Sequence, residues 1–169
     1  RRTAIASDDT RTYQPPLRLK VARALWELCR FVPVVATVAV AAGARRVWNV
    51  NTDNNTVTAI DADSGDKLLE VEVPADPRSV AVAGDGSVWV SSHDTPAVTV
   101  LSGESGEVLA QIPLATGSRP HSLVIDPDSE RAYVALMGTG RIVRLDVQER
   151  ALVDELEVGP WPRALALSQ

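Results

Sequence analysis

The sequence is poor in the residues that most often carry chemistry. One cysteine, Cys29, rules out an internal disulfide framework and leaves the redox compartment open. Two histidines, His93 and His121, stand at no metal-ligand spacing from each other or from Cys29, so no metal is implied. There is no serine in a nucleophile elbow, no glycine-rich phosphate cradle after a strand pattern, and no sign of a cofactor. Aromatics are 4% of the chain, so small aliphatic side chains must fill the core. The uncharged run FVPVVATVAVAAGA at 31–44 has 14 residues, too few to span a bilayer.

Positive charge is scarce where the bulk of the chain lies. The overall net charge of −5 divides unevenly: residues 1–46 carry nine Arg and Lys against three acids, a net of +6, and residues 47–169 carry eight against nineteen, a net of −11. An acidic body repels phosphate backbones, which argues against a nucleic-acid partner. Within the basic segment 1–35, Leu17, Val21, Leu25 and Leu28 fall at helical spacing, and 17–30 reads as one short amphipathic helix. Packing of its apolar side on the rest of the chain is favoured over a membrane surface, so a membrane partner is not expected. Joined to 31–44, the segment also has the outline of an export signal ending at Ala42-Gly43-Ala44. The strand reading of Val38 is preferred, because it falls in register with three later strands. Arg1-Arg2 has no apolar run close behind it, so a twin-arginine signal is weaker still.

What the chain has in abundance is repetition. Val38, Val80, Leu123 and Leu165 open equivalent apolar runs spaced 42, 43 and 42 residues apart, and Trp48, Trp89 and Tyr133 hold a second equivalent position. One unit shows four short apolar stretches, SVAVA (79–83), VWVS (88–91), AVTVL (97–101) and EVLAQIPL (107–114), separated by Gly, Asp, Ser and Pro. Such runs read as strands in hairpins, and four strands in about 42 residues is the arithmetic of a propeller blade. VWV and VAVA are apolar at successive positions, as expected when both faces of a sheet are covered by neighbouring blades. The predicted fold class is therefore all-β, with four-stranded antiparallel propeller blades at 36–74, 78–114 and 121–158, an extra inner strand at 163–168, and a short N-terminal helix. A closed ring needs about four to eight blades. The expectation is a fragment of a larger propeller, or a chain whose missing blades come from a longer chain or an oligomer.

The segments VWNVNTDNNTVTAID, SGDKLLEVEV, DPRSVAVAGDGSVWV and RPHSLVIDPDSERAYVAL resemble the YVTN-type β-propeller repeat of bacterial and archaeal proteins over about 38–169. The departures are Pro74, in place of the usual glycine after the fourth strand, and QERAL (148–152), in place of a glycine-containing turn. The resemblance implies a scaffold that is commonly exported or surface-exposed, in the periplasm or at the cell surface, with no shared chemistry.

The residue after the proline that begins each inner strand is Arg78, His121 or Arg163. In a propeller these positions ring one mouth of the central channel, where three cationic or cationisable groups suit an anion. The plain structural alternative is local pairing, for instance of Arg78 with Asp76. His93 and Asp94 fall in a loop sharing that mouth, as an oriented base, half of a metal site, or simply a surface turn. Asp61-Ala-Asp63-Ser-Gly65-Asp66 faintly echoes a calcium loop, but the repeat needs a hairpin turn there. Asn54-Asn55-Thr56 satisfies a glycosylation sequon, a pattern short enough to arise by chance. The function expected is a non-catalytic scaffold binding a protein or a small anionic ligand over one face. The alternative is part of a lyase, lactonase or dehydrogenase propeller, with His121 as the local candidate for proton transfer.

Overall fold

The computed structural model describes residues 38–40, 45–126 and 130–168, and the helix expected at 17–30 lies outside the described residues. Three four-stranded antiparallel sheets follow one another along the chain. The first contains β1 (Val38–Val40), β2 (Arg46–Asn51), β3 (Thr56–Asp61) and β4 (Lys67–Glu72). The second contains β5 (Pro77–Val82), β6 (Ser87–Ser92), β7 (Ala97–Ser102) and β8 (Val108–Pro113). The third contains β9 (Pro120–Asp126), β10 (Arg131–Leu136), β11 (Arg141–Asp146) and β12 (Ala151–Glu157). Within each sheet the strands are in sequence order, joined by hairpins. Val38 pairs with Asn49, the register of a first strand. Inner strands of successive sheets lie against one another, β1 beside β5 and β5 beside β9.

The sheets stack through their apolar faces. Trp48, Val50, Val57 and Ala59 of the first blade meet Val80, Val88, Val90 and Leu101 of the second. Trp89, Val98, Val100 and Ile112 of the second meet Leu123, Val134, Val143 and Leu145 of the third. Side chains alternate across a strand, so Val88 and Val90 face one neighbour while Trp89 faces the other. This is why VWV is apolar throughout and why all of β6 is buried. Hydrogen bonds tie the stack at its inner edge. Ser79 Oγ accepts from Leu123 N–H at 3.2 Å, and the equivalent Ser122 Oγ accepts from Leu165 N–H at 3.2 Å.

Residues 163–168 thus sit against the third blade as β9 sits against the second, but they carry no strand pairing. The expected extra inner strand is present in position and absent as a ladder, because no described strand lies beside it to exchange backbone hydrogen bonds. The far face of the third blade is correspondingly open. Tyr133, in the place of the buried Trp48 and Trp89, is only half-buried, and Leu156, in the place of Val71 and Ile112, is 64% exposed. On that face Arg144 pairs with Asp154 at 2.6 Å, where the first two blades have Ala59 opposite Leu69 and Val100 opposite Ala110.

The third hairpin of each blade explains the Asp61 cluster. Asp61 Oδ1 accepts from the Asp63 and Ser64 N–H groups at 2.8 Å, Asp146 Oδ1 does the same for Gln148 and Glu149 at 2.9 Å, and Ser102 Oγ takes the role in the second blade. These backbone donors hold the Asp61 carboxyl below its ordinary value. The turn then needs a left-handed residue, which is Gly65 at φ 80° and Gly106 at φ 76°, and Arg150 at φ 51° in the QERAL turn.

Trp89→Ala should lower unfolding free energy by about 3–5 kcal/mol, since it empties a filled space between two blades. Tyr133→Ala, on the open face, should cost less than half as much. Urea denaturation of both variants checks this, and equal losses would contradict the open face described.

Candidate functional site

The residue before each inner-strand proline is in the left-handed region: Asp76 at φ 60°, Arg119 at φ 51° and Trp161 at φ 62°. Each such residue costs about 1–3 kcal/mol and persists only where its surroundings hold it. The hold is visible. His93 N–H donates to Asp76 O at 2.9 Å, and Met137 N–H, in the equivalent loop, donates to Arg119 O at 3.1 Å. Asp76 N–H is held in turn by Asn55 Oδ1 of the preceding blade at 2.9 Å. These bonds bring the inner-strand starts and the loops between second and third strands to the same end of the stack. Gly138, in the third of these loops, lies so close to its neighbour that a Cβ there would stand 2.0 Å from Gly117 O.

Arg78, His121, Arg163, His93 and Asp94 all lie at this end, in two connected groups. In the first, Arg78 Nη2 donates to Asp76 Oδ2 at 2.7 Å, and His93 Nδ1 lies 3.0 Å from Asp76 Oδ2 and 3.0 Å from Asp94 Oδ1. Arg78 is therefore engaged by a local acid, the plainer of the two arrangements expected from the sequence. In the second, His121 Nδ1 lies 3.0 Å from Arg163 O. A carbonyl can only accept, so His121 carries its hydrogen on Nδ1, and in the neutral ring the lone pair is on Nε2. Burial holds the His121 imidazole below its ordinary value against the raising effect of the Arg163 carbonyl, and the charges of Arg78, His93 and Arg163 add to the depression. The guanidinium of Arg163, an exposed residue, has no ion pair among the described residues.

The rim is thus less cationic than three basic positions suggest, with one guanidinium neutralised and the imidazole kept neutral. Sequence reasoning identified the basic positions but not Asp76 as the hub between Arg78 and His93. The signal was present in the repeated residue-before-proline slot. Two clefts open on this end at equivalent places in the repeat. One, of about 480 Å³, is lined by Thr52, Asp53, Asp76, Arg78 and Asp94. The other, of about 530 Å³, is lined by Arg119, Gly138, Glu157 and Trp161. The first is acidic and the second presents an exposed indole, although the backbone framework is the same.

No family model matches the chain, and no curated protein matches it. Solved structures do. Hydrazine synthase from Kuenenia stuttgartiensis matches at TM-score 0.70 and 23% identity, over 79% of this chain and 40% of that one. A streptogramin B lyase matches at 0.63 and 19%, over 73% and 40%. Apo AztD from Citrobacter koseri matches at 0.61 and 17%, over 75% and 36%. Together with the stacked four-stranded sheets, these matches define the fold as β-propeller. The chain spans about two fifths of the length of those proteins. Among the described residues no helix is long and apolar enough to cross a membrane.

A His121→Gln variant should lose less stability than the parent as pH falls below 6.5, the ordinary imidazole value. The unfolded chain takes up a proton there and the folded His121 resists it, so this contribution is full above that pH and declines as the pH falls from there towards the depressed folded value. Urea midpoints measured from pH 7.5 to 5 report the difference. Parallel curves for parent and variant would refute it.

Proposed function

We propose that this chain is part of a YVTN-type propeller scaffold of a larger extracytoplasmic protein, and that it binds a small anionic ligand or an acidic protein segment at the channel mouth. The observation that carries this reading is the contact between His121 and Arg163. The Arg163 carbonyl fixes the His121 tautomer, so the rim offers a guanidinium for an anionic group and, in the same slot of the adjacent repeat, an imidazole nitrogen that accepts a hydrogen bond. A ligand with one carboxylate and one hydroxyl or N–H group fits that pair. Arg78, paired with Asp76, is the lesser contributor.

The enzyme reading is favoured by one feature, a neutral histidine of fixed tautomer in a rim setting, which is what a general base requires. The likeness to a streptogramin B lyase supports the fold of such an enzyme and leaves the reaction open. The rest of a catalytic constellation is lacking among the described residues, so binding without turnover is the better-supported conclusion.

Titration with a hydroxycarboxylate such as lactate or malate, followed by calorimetry, tests the proposal. Arg163→Ala should weaken binding about tenfold or more, the scale of one charge-assisted hydrogen bond. Arg78→Ala should have a smaller effect. Binding that ignores Arg163→Ala refutes the proposed ligand site, and ligand consumption lost in His121→Gln moves the assignment to enzyme.

A further inference from the structure

The geometry points to a divalent-cation site of the zinc or manganese type in the second blade, formed by Asp76, His93 and Asp94. One ligand atom from each of the three lies within 4.8 Å of the others. Ligands around zinc at about 2.0–2.1 Å stand roughly 3.3 Å apart in a tetrahedron, and His93 Nδ1 is near that spacing from both carboxylates. His93 Nδ1 lies 3.0 Å from each of two carboxylates, although an imidazole nitrogen carries at most one hydrogen. A hydrogen bond can serve only one of those oxygens well. A cation placed among the three serves all of them.

The repeat itself does not require these groups. Asp76 has Arg119 and Trp161 as its counterparts, His93 has Thr52 and Met137, and Asp94 has Asp53 and Gly138. The same turns form with those residues, so the framework holds without any metal-ligating side chain in the third blade. The donors are therefore an addition made in one blade. His93 and Asp76 have side chains 12% and 14% exposed, which fixes their positions, and Asp94 at 69% exposed leaves a side open to solvent. The 480 Å³ cleft that includes Asp76 and Asp94 provides entry, with Asp53 as a further acid on its wall.

The donor set, one imidazole and two carboxylates, suits borderline divalent ions, and three protein ligands leave a coordination position for water or ligand. Arg78 donates to the same Asp76 Oδ2 that faces His93, and it fits as an outer partner that orients this carboxylate towards the cluster. Neither His121 nor Arg163 is among the three donors, so the site does not depend on the anion reading.

Zinc alone, titrated calorimetrically into the full chain at pH 7.5, should show a saturable site and raise the thermal midpoint. Asp94→Asn, at an exposed position, and His93→Gln should each weaken binding at least tenfold and remove the midpoint shift, and Glu149→Gln, at an exposed turn of the third blade, should change neither. Manganese, which has less affinity for thiolates, repeats the measurement without competition from Cys29. Absence of saturable uptake of both ions overturns the site, and so does uptake that is equal in the parent and both variants. Lactate titration without metal reports on Arg163 independently, so each idea can fail alone.

Discussion

The middle blade of this chain is apolar on both faces, and the rest of the structure follows from the need to cover them. A sheet with Val88 and Val90 on one side and Trp89 on the other cannot be stable in water by itself. At roughly 25 cal/mol per Å² of apolar surface buried, the contact between neighbours is the main source of stability, and the hairpins serve to present the faces. The middle blade is the only one of the three with described blades on both sides. The third blade's β12 is exposed along its whole length.

Stacking in turn sets the rim. Once the inner strands lie side by side, the residues before the prolines must turn sharply to enter them, and Asp76, Arg119 and Trp161 all adopt the left-handed conformation to do so. The loop N–H groups of His93 and Met137 secure those turns. The chemistry at the channel mouth is then a matter of which side chain occupies a repeated slot. In one repeat the slot before the proline holds an acid that gathers Arg78 and His93, and in another it holds an indole beside a cleft. The backbone is shared and the sites differ.

The fold was legible because burial imposes a period. Val38, Val80, Leu123 and Leu165 announced the inner strands, and the Trp48, Trp89 and Tyr133 slot announced the second strands. The segment at 163–168 shows the limit of that reasoning. Its sequence matches an inner strand and its position matches too, but a ladder is a property of two strands, which one strand's pattern cannot supply. The rim was legible in part. Arg78, His121 and Arg163 could be aligned by counting. The pairing of His93 with Asp76 could not, since the two are far apart in sequence and meet through a loop hydrogen bond. The depressed titration of His121 was also out of reach, because burial sets it, and so was its tautomer, which is fixed by a carbonyl 42 residues away.

The Arg144–Asp154 pair bears on how such a chain keeps its units in order. Near-identical modules invite exchange, one taking another's place in the stack during folding. The first two blades offer the next one a purely aliphatic contact at the positions of Ala59 and Val100, and the third offers a charged pair at 2.6 Å. Were the third blade to dock where the second belongs, with the second following it, that pair would be pressed against Val88 and Leu101 of the second blade with its hydration lost. Burying charge against hydrocarbon costs several kcal/mol even for paired ions. Two residues thus make the units non-interchangeable, and the sequence of blades along the chain becomes their sequence in space.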